Sequence, residues 1–205
     1  QLSKQTVPHF YLQTDVDVTH LIGRRAERNA GGGTKISVND VIIQATAQCL
    51  REYPNLNSHV SQSSLTVKSK INVGMAVSVD EGLMVPVLGN ADGLSLAEIA
   101  DQSREAANNA RRGIIKPASP GTFTISNLGM FGTSEFSAVI NPPQACILAV
   151  GGGVRKVVPG AIDAFDDLQD DDGGFGFGGG EVRASAVLPP RVATVMTVGL
   201  SADAR

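Results

Sequence analysis

The sequence is poor in cysteine, with only Cys49 and Cys146 among its 205 residues. Two cysteines are too few for a disulfide framework, and they show no spacing typical of a metal site. Both lie in apolar stretches, so we expect two buried thiols with little thiolate character. The composition therefore favours a protein of a reducing compartment and excludes a small disulfide-stapled domain.

Long apolar runs are also missing. The longest, such as residues 145–150, are far shorter than a membrane span, which argues against a transmembrane protein. The N-terminus lacks the basic segment and apolar stretch of a secretory signal. Because the first residue is Gln1 rather than Met, we expect an excised domain or a processed product.

Histidine is scarce, and none of His9, His20 and His59 has a Ser, Cys, Asp or Glu partner at an informative spacing. We expect each to lie on the surface or to form structural hydrogen bonds. The sequence contains no GxSxG motif, and the glycine triplet at residues 31–33 lacks the layout of a phosphate-binding loop. Residue chemistry alone thus indicates a globular domain without an evident catalytic base.

Acidic residues are concentrated in one glycine-rich segment, residues 161–181, which contains no Lys or Arg. Such a composition cannot bury enough apolar surface to offset its ordering entropy. We expect a surface insert between two strands. The alternative is a docking segment whose Phe165, Phe175 and Phe177 contact a partner. Its acids are Asp163, Asp166, Asp167, Asp170, Asp171, Asp172 and Glu181.

The remaining chain alternates helix and strand signals. Helices are predicted over residues 19–28, over residues 41–53 after a cap at residues 37–40, and over residues 96–112 after a capping box at Ser95 and Glu98. Strands are predicted at residues 7–18, 65–67, 71–79, 84–88, 122–126, 136–140, 145–150, 182–188 and 192–200. The pattern predicts one α/β domain over residues 1–205 with a large mixed or mostly antiparallel sheet.

Two long motifs carry a family resemblance. Residues 121–132 read GTFTISNLGMFG, and residues 141–151 read NPPQACILAVG. Both resemble the core motifs of the 2-oxo acid dehydrogenase acyltransferases, and the resemblance covers nearly the whole chain except the acidic segment. Shorter matching segments lie at residues 37–40, 54–58, 73–77, 82–87 and 195–203.

The resemblance implies a fold similar to chloramphenicol acetyltransferase, with a mixed sheet, flanking helices and a homotrimeric assembly. Active sites of the family lie between neighbouring subunits, where a histidine takes the thiol proton so that coenzyme A and dihydrolipoamide exchange an acyl group. The family's oxyanion-stabilising serine matches Ser126. The alternative is that Ser126 only satisfies backbone groups at a strand end.

The closing motif departs from the family. The family pattern is Asp-His-Arg, followed by an Asp-Gly segment and a terminal helix, whereas this chain reads Asp203-Ala204-Arg205. Since alanine cannot accept a proton, we expect no catalytic residue here beyond a residual Ser126. The interpretation is a non-catalytic domain similar to the protein X or E3-binding component of the pyruvate dehydrogenase complex, of the fungal type. The alternative is an acyltransferase altered or shortened at its histidine motif.

The same resemblance implies the partners and the location. The domain would trimerise, associate with the dihydrolipoamide acetyltransferase core, and recruit dihydrolipoamide dehydrogenase through an upstream domain, in the mitochondrial matrix. The lipoyl group would sit on an upstream domain, so no cofactor and no metal is expected within this one. Whether coenzyme A still binds is open, and neither nucleic acid nor a membrane is expected as a partner.

Overall fold

The computed structural model describes residues 2–61, 64–80, 82–114, 120–160 and 189–204. Its four helices, in chain order, are α1 (Leu2–Thr6), α2 (Thr19–Ala30), α3 (Val38–Glu52) and α4 (Leu96–Arg111). Its ten strands are β1 (His9–Asp17), β2 (Ser58–Val60), β3 (Leu65–Val67), β4 (Val73–Met75), β5 (Val77–Val79), β6 (Gly82–Met84), β7 (Val87–Leu88), β8 (Phe123–Asn127), β9 (Cys146–Val158) and β10 (Arg191–Asp203). No helix in these ranges has the length and apolar character needed to cross a membrane.

A six-stranded sheet forms the centre of the fold, in the order β1-β10-β9-β8-β4-β7. Strand β8 runs parallel to both of its neighbours, and the other pairs are antiparallel. The expected mixed sheet is therefore confirmed. Two hairpin-like pairs, β2–β3 and β5–β6, stand beside it.

Helices α3 and α4 cover one face of the sheet and bury the main core. Each begins with a capping box, Ser37 with Asp40 and Ser95 with Glu98. The capping side chains accept hydrogen bonds from backbone N–H groups of the first turn that have no partner within the helix. Ile43 of α3 and Ile99 of α4 are fully buried in this core together with Ile125 of β8. The other face carries a smaller apolar cluster of Ala138, Ile140, Ile147 and Ala149.

Some local predictions differ from the structure. The single strand predicted at residues 71–79 is two strands, β4 and β5, and Ala76 between them donates its N–H to Ile125. Residues 136–140 are not a strand, although Ala138 and Ile140 are buried. The alternating apolar side chains of this irregular segment pack against the sheet face opposite α3 and α4. The strand predicted at residues 182–188 and the acidic segment at residues 161–181 lie outside the described residues.

Candidate functional site

Ser126 lies near the end of the central strand β8, on the face opposite the helices. Neighbouring side chains of a strand point to opposite faces, and Ile125 belongs to the main core. Ser126 pairs with Ala149, which belongs to the second cluster. Its side chain is half-buried, and no described residue forms a hydrogen bond with its hydroxyl. Among the described residues, the hydroxyl thus has neither a backbone nor a side-chain partner.

The turn that follows Ser126 is fixed by Asn127. Its Oδ1 accepts the Gly129 N–H at 2.9 Å, and its Nδ2 donates to Oδ1 of Asn39 at 3.2 Å. Asn39 in the first turn of α3 also donates to the Met75 sulfur at 3.6 Å. The end of β8 is thus tied to α3 and β4, which limits movement beside Ser126.

Further contacts fix strand β8 and its neighbour β9 on the face that carries Ser126. Thr124, on the same face as Ser126, donates to Oε1 of Gln144 at 2.5 Å, and both residues are buried. Gly151 of β9 lets the loop at residues 132–134 approach closely, because a Cβ at this position would overlap the Ser134 carbonyl. Backbone packing on both flanks therefore sets the position of the serine.

Two clefts meet at Ser126. The first, of about 590 Å³, lies between α4, the start of α3 and the end of β8. The second, of about 460 Å³, lies between β8 and residues 136–142. Ser126, Ala76 and Leu83 line both. The serine hydroxyl can consequently be approached along two separate paths.

The histidines hold structural positions, as the sequence analysis predicts. Nε2 of His9 accepts the Ile140 N–H at 3.0 Å, so its Nδ1 carries the proton and donates to the Val7 carbonyl at 2.7 Å. Nε2 of His59 lies 3.0 Å from the Gly121 carbonyl, which makes it the protonated nitrogen. His20 is exposed on α2. None of the three lines either cleft.

Ala204, which the resemblance sets at the family's histidine position, lies far from Ser126 within one chain. The strand register puts Ser126 level with Ala149 and Gly199, five residues before Ala204 and two strands away. At ~3.3 Å per residue and ~4.8 Å per strand the separation is roughly 19 Å. A site using Ser126 and position 204 together would therefore need two copies of the chain.

The cysteines do not form a reactive site. Cys146 is buried, and burial, followed by the charge of Asp203, raises the pKa of its thiol to about 11. Cys49 is exposed on α3, so the prediction that it is buried is wrong. Helix α3 is amphipathic rather than apolar all round, and only Asp40, Ile43, Ala47 and Leu50 are buried on it. No group of three His, Cys, Asp or Glu residues converges on a metal site in the described part of the chain.

The sequence motif identifies Ser126 but not the residues that hold it. Asn39 and Asp40 were seen only as part of a helix cap, yet Asn39 bonds to Asn127 and Asp40 to Ser103 of α4. The side-chain pattern of α4 also carried a signal, because Ala100, Ser103 and Ala107 form a small-residue stripe at helical spacing. That stripe is a wall of the first cleft.

Comparison with known families gives one match over the whole chain. The family described as "2-oxoacid dehydrogenases acyltransferase (catalytic domain)" matches residues 1–205. A dihydrolipoyllysine-residue acetyltransferase component of the mitochondrial pyruvate dehydrogenase complex from Arabidopsis thaliana is 44% identical over 165 residues, or 77% of this chain and 31% of that protein. The corresponding Rickettsia bellii component is 38% identical over 209 residues, or 99% of this chain and 44% of that protein. The chain spans about a third to under half of the length of these relatives.

Solved structures give the same fold. A probable dihydrolipoamide acetyltransferase from Listeria monocytogenes superposes with a TM-score of 0.79 at 30% identity, covering 98% of this chain and 78% of that one. A structure of the Azotobacter vinelandii dihydrolipoamide acetyltransferase also has a TM-score of 0.79, at 27% identity, with 98% and 75% covered. That study concerns the catalytic role of a serine, a histidine and an asparagine in the Azotobacter enzyme. The expected fold class is confirmed.

The expectation that the domain is not an enzyme is wrong. The relatives reported above are named as acetyltransferases, and no finding supports a protein X or E3-binding role. That expectation rests on one side chain, the alanine at position 204. A transfer site also needs an oxyanion donor and room for two substrates, and the structure retains an unengaged Ser126 and two clefts.

Proposed function

The chain belongs to the 2-oxoacid dehydrogenase acyltransferase (catalytic domain) family, and on that premise we propose that it transfers an acetyl group between coenzyme A and a dihydrolipoyl thiol. The observation that carries the proposal is the unengaged Ser126 hydroxyl at the meeting point of two clefts. If each cleft holds one of the two thiol substrates, their reacting sulfur atoms meet beside Ser126.

The reaction needs a thiolate nucleophile and a hydrogen-bond donor for the oxyanion that forms in the intermediate. The dihydrolipoyl thiolate attacks the thioester carbonyl of acetyl-coenzyme A, and the carbonyl oxygen becomes an oxyanion. The Ser126 hydroxyl donates a hydrogen bond to that oxygen, which lowers the energy of the tetrahedral intermediate. The carbon–sulfur bond to coenzyme A then breaks, and the departing thiolate takes up a proton.

Proton removal from the attacking thiol does not use a histidine at position 204. Ala204 cannot accept a proton, and both ring nitrogens of nearby His9 are engaged with backbone groups. The thiol therefore loses its proton to solvent, and only the ionised fraction reacts. With a thiol pKa of about 8.5, that fraction is a few per cent at neutral pH.

We place the active assembly as a homotrimer within a pyruvate dehydrogenase complex. Strand β1 exposes Leu12 at 58% in its middle, and the paired ends of β9 and β10 expose Val157 at 73% and Val192 at 52%. Exposed apolar patches of this kind are typical of subunit contacts. In the proposed complex, the lipoyl group and the contact to dihydrolipoamide dehydrogenase belong to other domains. Location in the mitochondrial matrix stays a prediction, since the matching relatives come from both mitochondria and bacteria.

Replacement of the serine tests the function. Ser126→Ala should lower kcat for acetyl transfer from acetyl-coenzyme A to dihydrolipoamide by about 10²–10³, the effect of removing one oxyanion donor. KM values should change little, because the hydrogen bond forms in the intermediate. The control is Ser61→Ala, which changes an exposed serine that bonds to Ser64 and lines neither cleft. Equal rates for wild type and Ser126→Ala would refute the proposed role.

A further inference from the structure

Strand β8 loses one of its two neighbouring strands just before Ser126. Strand β4 runs beside it only as far as Ile125, and the last backbone hydrogen bond on that edge joins the Ala76 N–H to the Ile125 carbonyl. Among the described residues, β9 alone pairs with β8 from Ser126 onwards. The serine therefore lies where the sheet restrains its strand along one edge only.

Two asparagine side chains supply a restraint at the open edge. Asn39 of α3 lies between the ends of β4 and β8, because its Nδ2 is 3.6 Å from the Met75 sulfur and its Oδ1 is 3.2 Å from Nδ2 of Asn127. We infer that Asn39 is a positioning residue for acetyl transfer, which acts through Asn127 to fix the direction of the Ser126 hydroxyl. The inference rests on the proposed function and adds to it a residue that determines the rate.

The hydrogen bonds leave one orientation for each amide group. The Gly129 N–H can only donate, so Asn127 presents its Oδ1 to it, at 2.9 Å. Nδ2 of Asn127 then donates to Oδ1 of Asn39, and Nδ2 of Asn39 is left to face the Met75 sulfur, a weak acceptor. Both asparagines line the first cleft, but the oxygen and the nitrogen of each amide are engaged with the protein. Their effect on a reaction in the cleft is therefore to hold the neighbouring serine.

The restraint reaches Ser126 through the geometry of the strand. Neighbouring side chains point to opposite faces of a strand, so an anchored Asn127 on the helix face fixes the rotation of β8 about its own axis. That rotation sets the direction of the Cα–Cβ bond of Ser126. On the side of β9 the turn is already in contact, since a Cβ on Gly129 would lie 2.9 Å from the Gly151 carbonyl oxygen. A hydroxyl held in place beforehand does not have to reorient as the oxyanion forms.

Steady-state kinetics of variants at position 39 test the inference. Asn39→Ala removes the acceptor for Asn127 and should lower kcat for acetyl transfer about tenfold, while both KM values stay within about twofold. Asn39→Asp keeps an acceptor oxygen at the same place and should keep kcat within about twofold of the wild-type value. Asn39→Ser has a side chain too short to reach Asn127 and should lower kcat as Asn39→Ala does.

Two comparisons separate positioning from a general loss of stability. Asn29→Ala is the matched control, because Asn29 is also half-buried, bonds to the N–H and the carbonyl of Ile36 just before α3, and lines neither cleft. Its kcat should equal that of the wild type. In a Ser126→Ala background, Asn39→Ala should change kcat by less than about twofold, because the group that it positions is gone. An equal loss with and without the serine hydroxyl would overturn the inference.

Hydrogen exchange of the Gly129 amide gives a readout that does not require turnover. Without the Asn39 acceptor the Asn127 side chain is less restrained, so this amide should exchange about tenfold faster in Asn39→Ala than in the wild type, Asn39→Asp and Asn29→Ala. Equal exchange in all four proteins, or a wild-type kcat in Asn39→Ala, would overturn the inference and leave the acetyl transfer standing. A wild-type protein that transfers no acetyl group would refute the proposed function, and faster exchange in Asn39→Ala would still support the role of Asn39 in holding the turn after Ser126.

Discussion

At the residue scale, Asp17 links the start of α2 to the last strand. Its Oδ1 accepts the Thr19 N–H at 2.9 Å, and Arg191 donates to its Oδ2 at 2.6 Å. Hydrogen bonds from Thr19, and then the Arg191 contact, lower the pKa of this carboxyl to about 2. The folded protein therefore favours the charged form more than the unfolded chain does.

The lowered pKa of Asp17 predicts how the stability of the fold depends on pH. The stabilisation is complete above the ordinary pKa near 4 and is lost as pH falls through about 2. Asp17→Asn should lower the free energy of unfolding at neutral pH, and the difference from wild type should shrink between pH 4 and pH 2. Urea unfolding across that range measures it. A difference that stays constant with pH would contradict the assigned cause.

Single residues show what sequence reasoning can and cannot reach. Ser126 was identifiable because its motif is contiguous, whereas the Asn39–Asn127 bond joins residues 88 positions apart. The exposure of Cys49 was missed because an apolar local sequence does not say which helix face meets the core. Conversely, hydrogen bonding of His9 was expected, but not its position beside Asp203 in the sheet.

At the scale of elements, Asp40 joins the two helices that form the first cleft. It closes the capping box of α3 and accepts the hydroxyl of Ser103 on α4. Asp40→Asn would place an amide N–H₂ where donors already point, leaving at least one buried group unpaired. We expect a loss of about 1–3 kcal/mol in the free energy of unfolding.

The capping box of α4 provides the control for that prediction. Glu98→Gln changes the equivalent residue, but Glu98 is exposed and contacts only Ser95 of its own cap in the described structure. Its effect should be clearly smaller than that of Asp40→Asn in the same denaturant titration. Equal losses in the free energy of unfolding would mean that the hydrogen bond from Ser103 of α4 to Asp40 of α3 adds no stability beyond that of the helix cap.

Helix limits were easier to predict than strand limits. Capping boxes are local signals, and the predicted helix at residues 96–112 matches α4 to within one residue. Strand β9 runs to Val158, eight residues beyond its predicted end. Gly151 and Gly152 permit a close approach by residues 129–134, and the strand continues through Gly153. Which strand segments pair depends on contacts distant in sequence, and local composition does not contain them.

At the scale of the whole molecule, the exposed apolar side chains of β1, β9 and β10 favour assembly with further copies of the chain. We predict a homotrimer of about 64 kDa, three times the 21.3 kDa of one chain. Closed rings of three use a heterologous contact, in which different surfaces of neighbouring copies meet. Sedimentation equilibrium at micromolar concentration measures the mass. A monomer under these conditions would contradict the proposed assembly.

The central claim is an acetyltransferase whose thiol substrate ionises without a histidine at position 204. The most direct test is the pH dependence of acetyl transfer from acetyl-coenzyme A to dihydrolipoamide by the unaltered domain, corrected for the protein-free reaction. We predict a rate that rises about tenfold per pH unit up to the thiol pKa near 8.5. Ala204→His should flatten this dependence above about pH 6.5, the ordinary imidazole pKa. Absence of transfer at every pH, or a wild-type rate already independent of pH, would contradict the account.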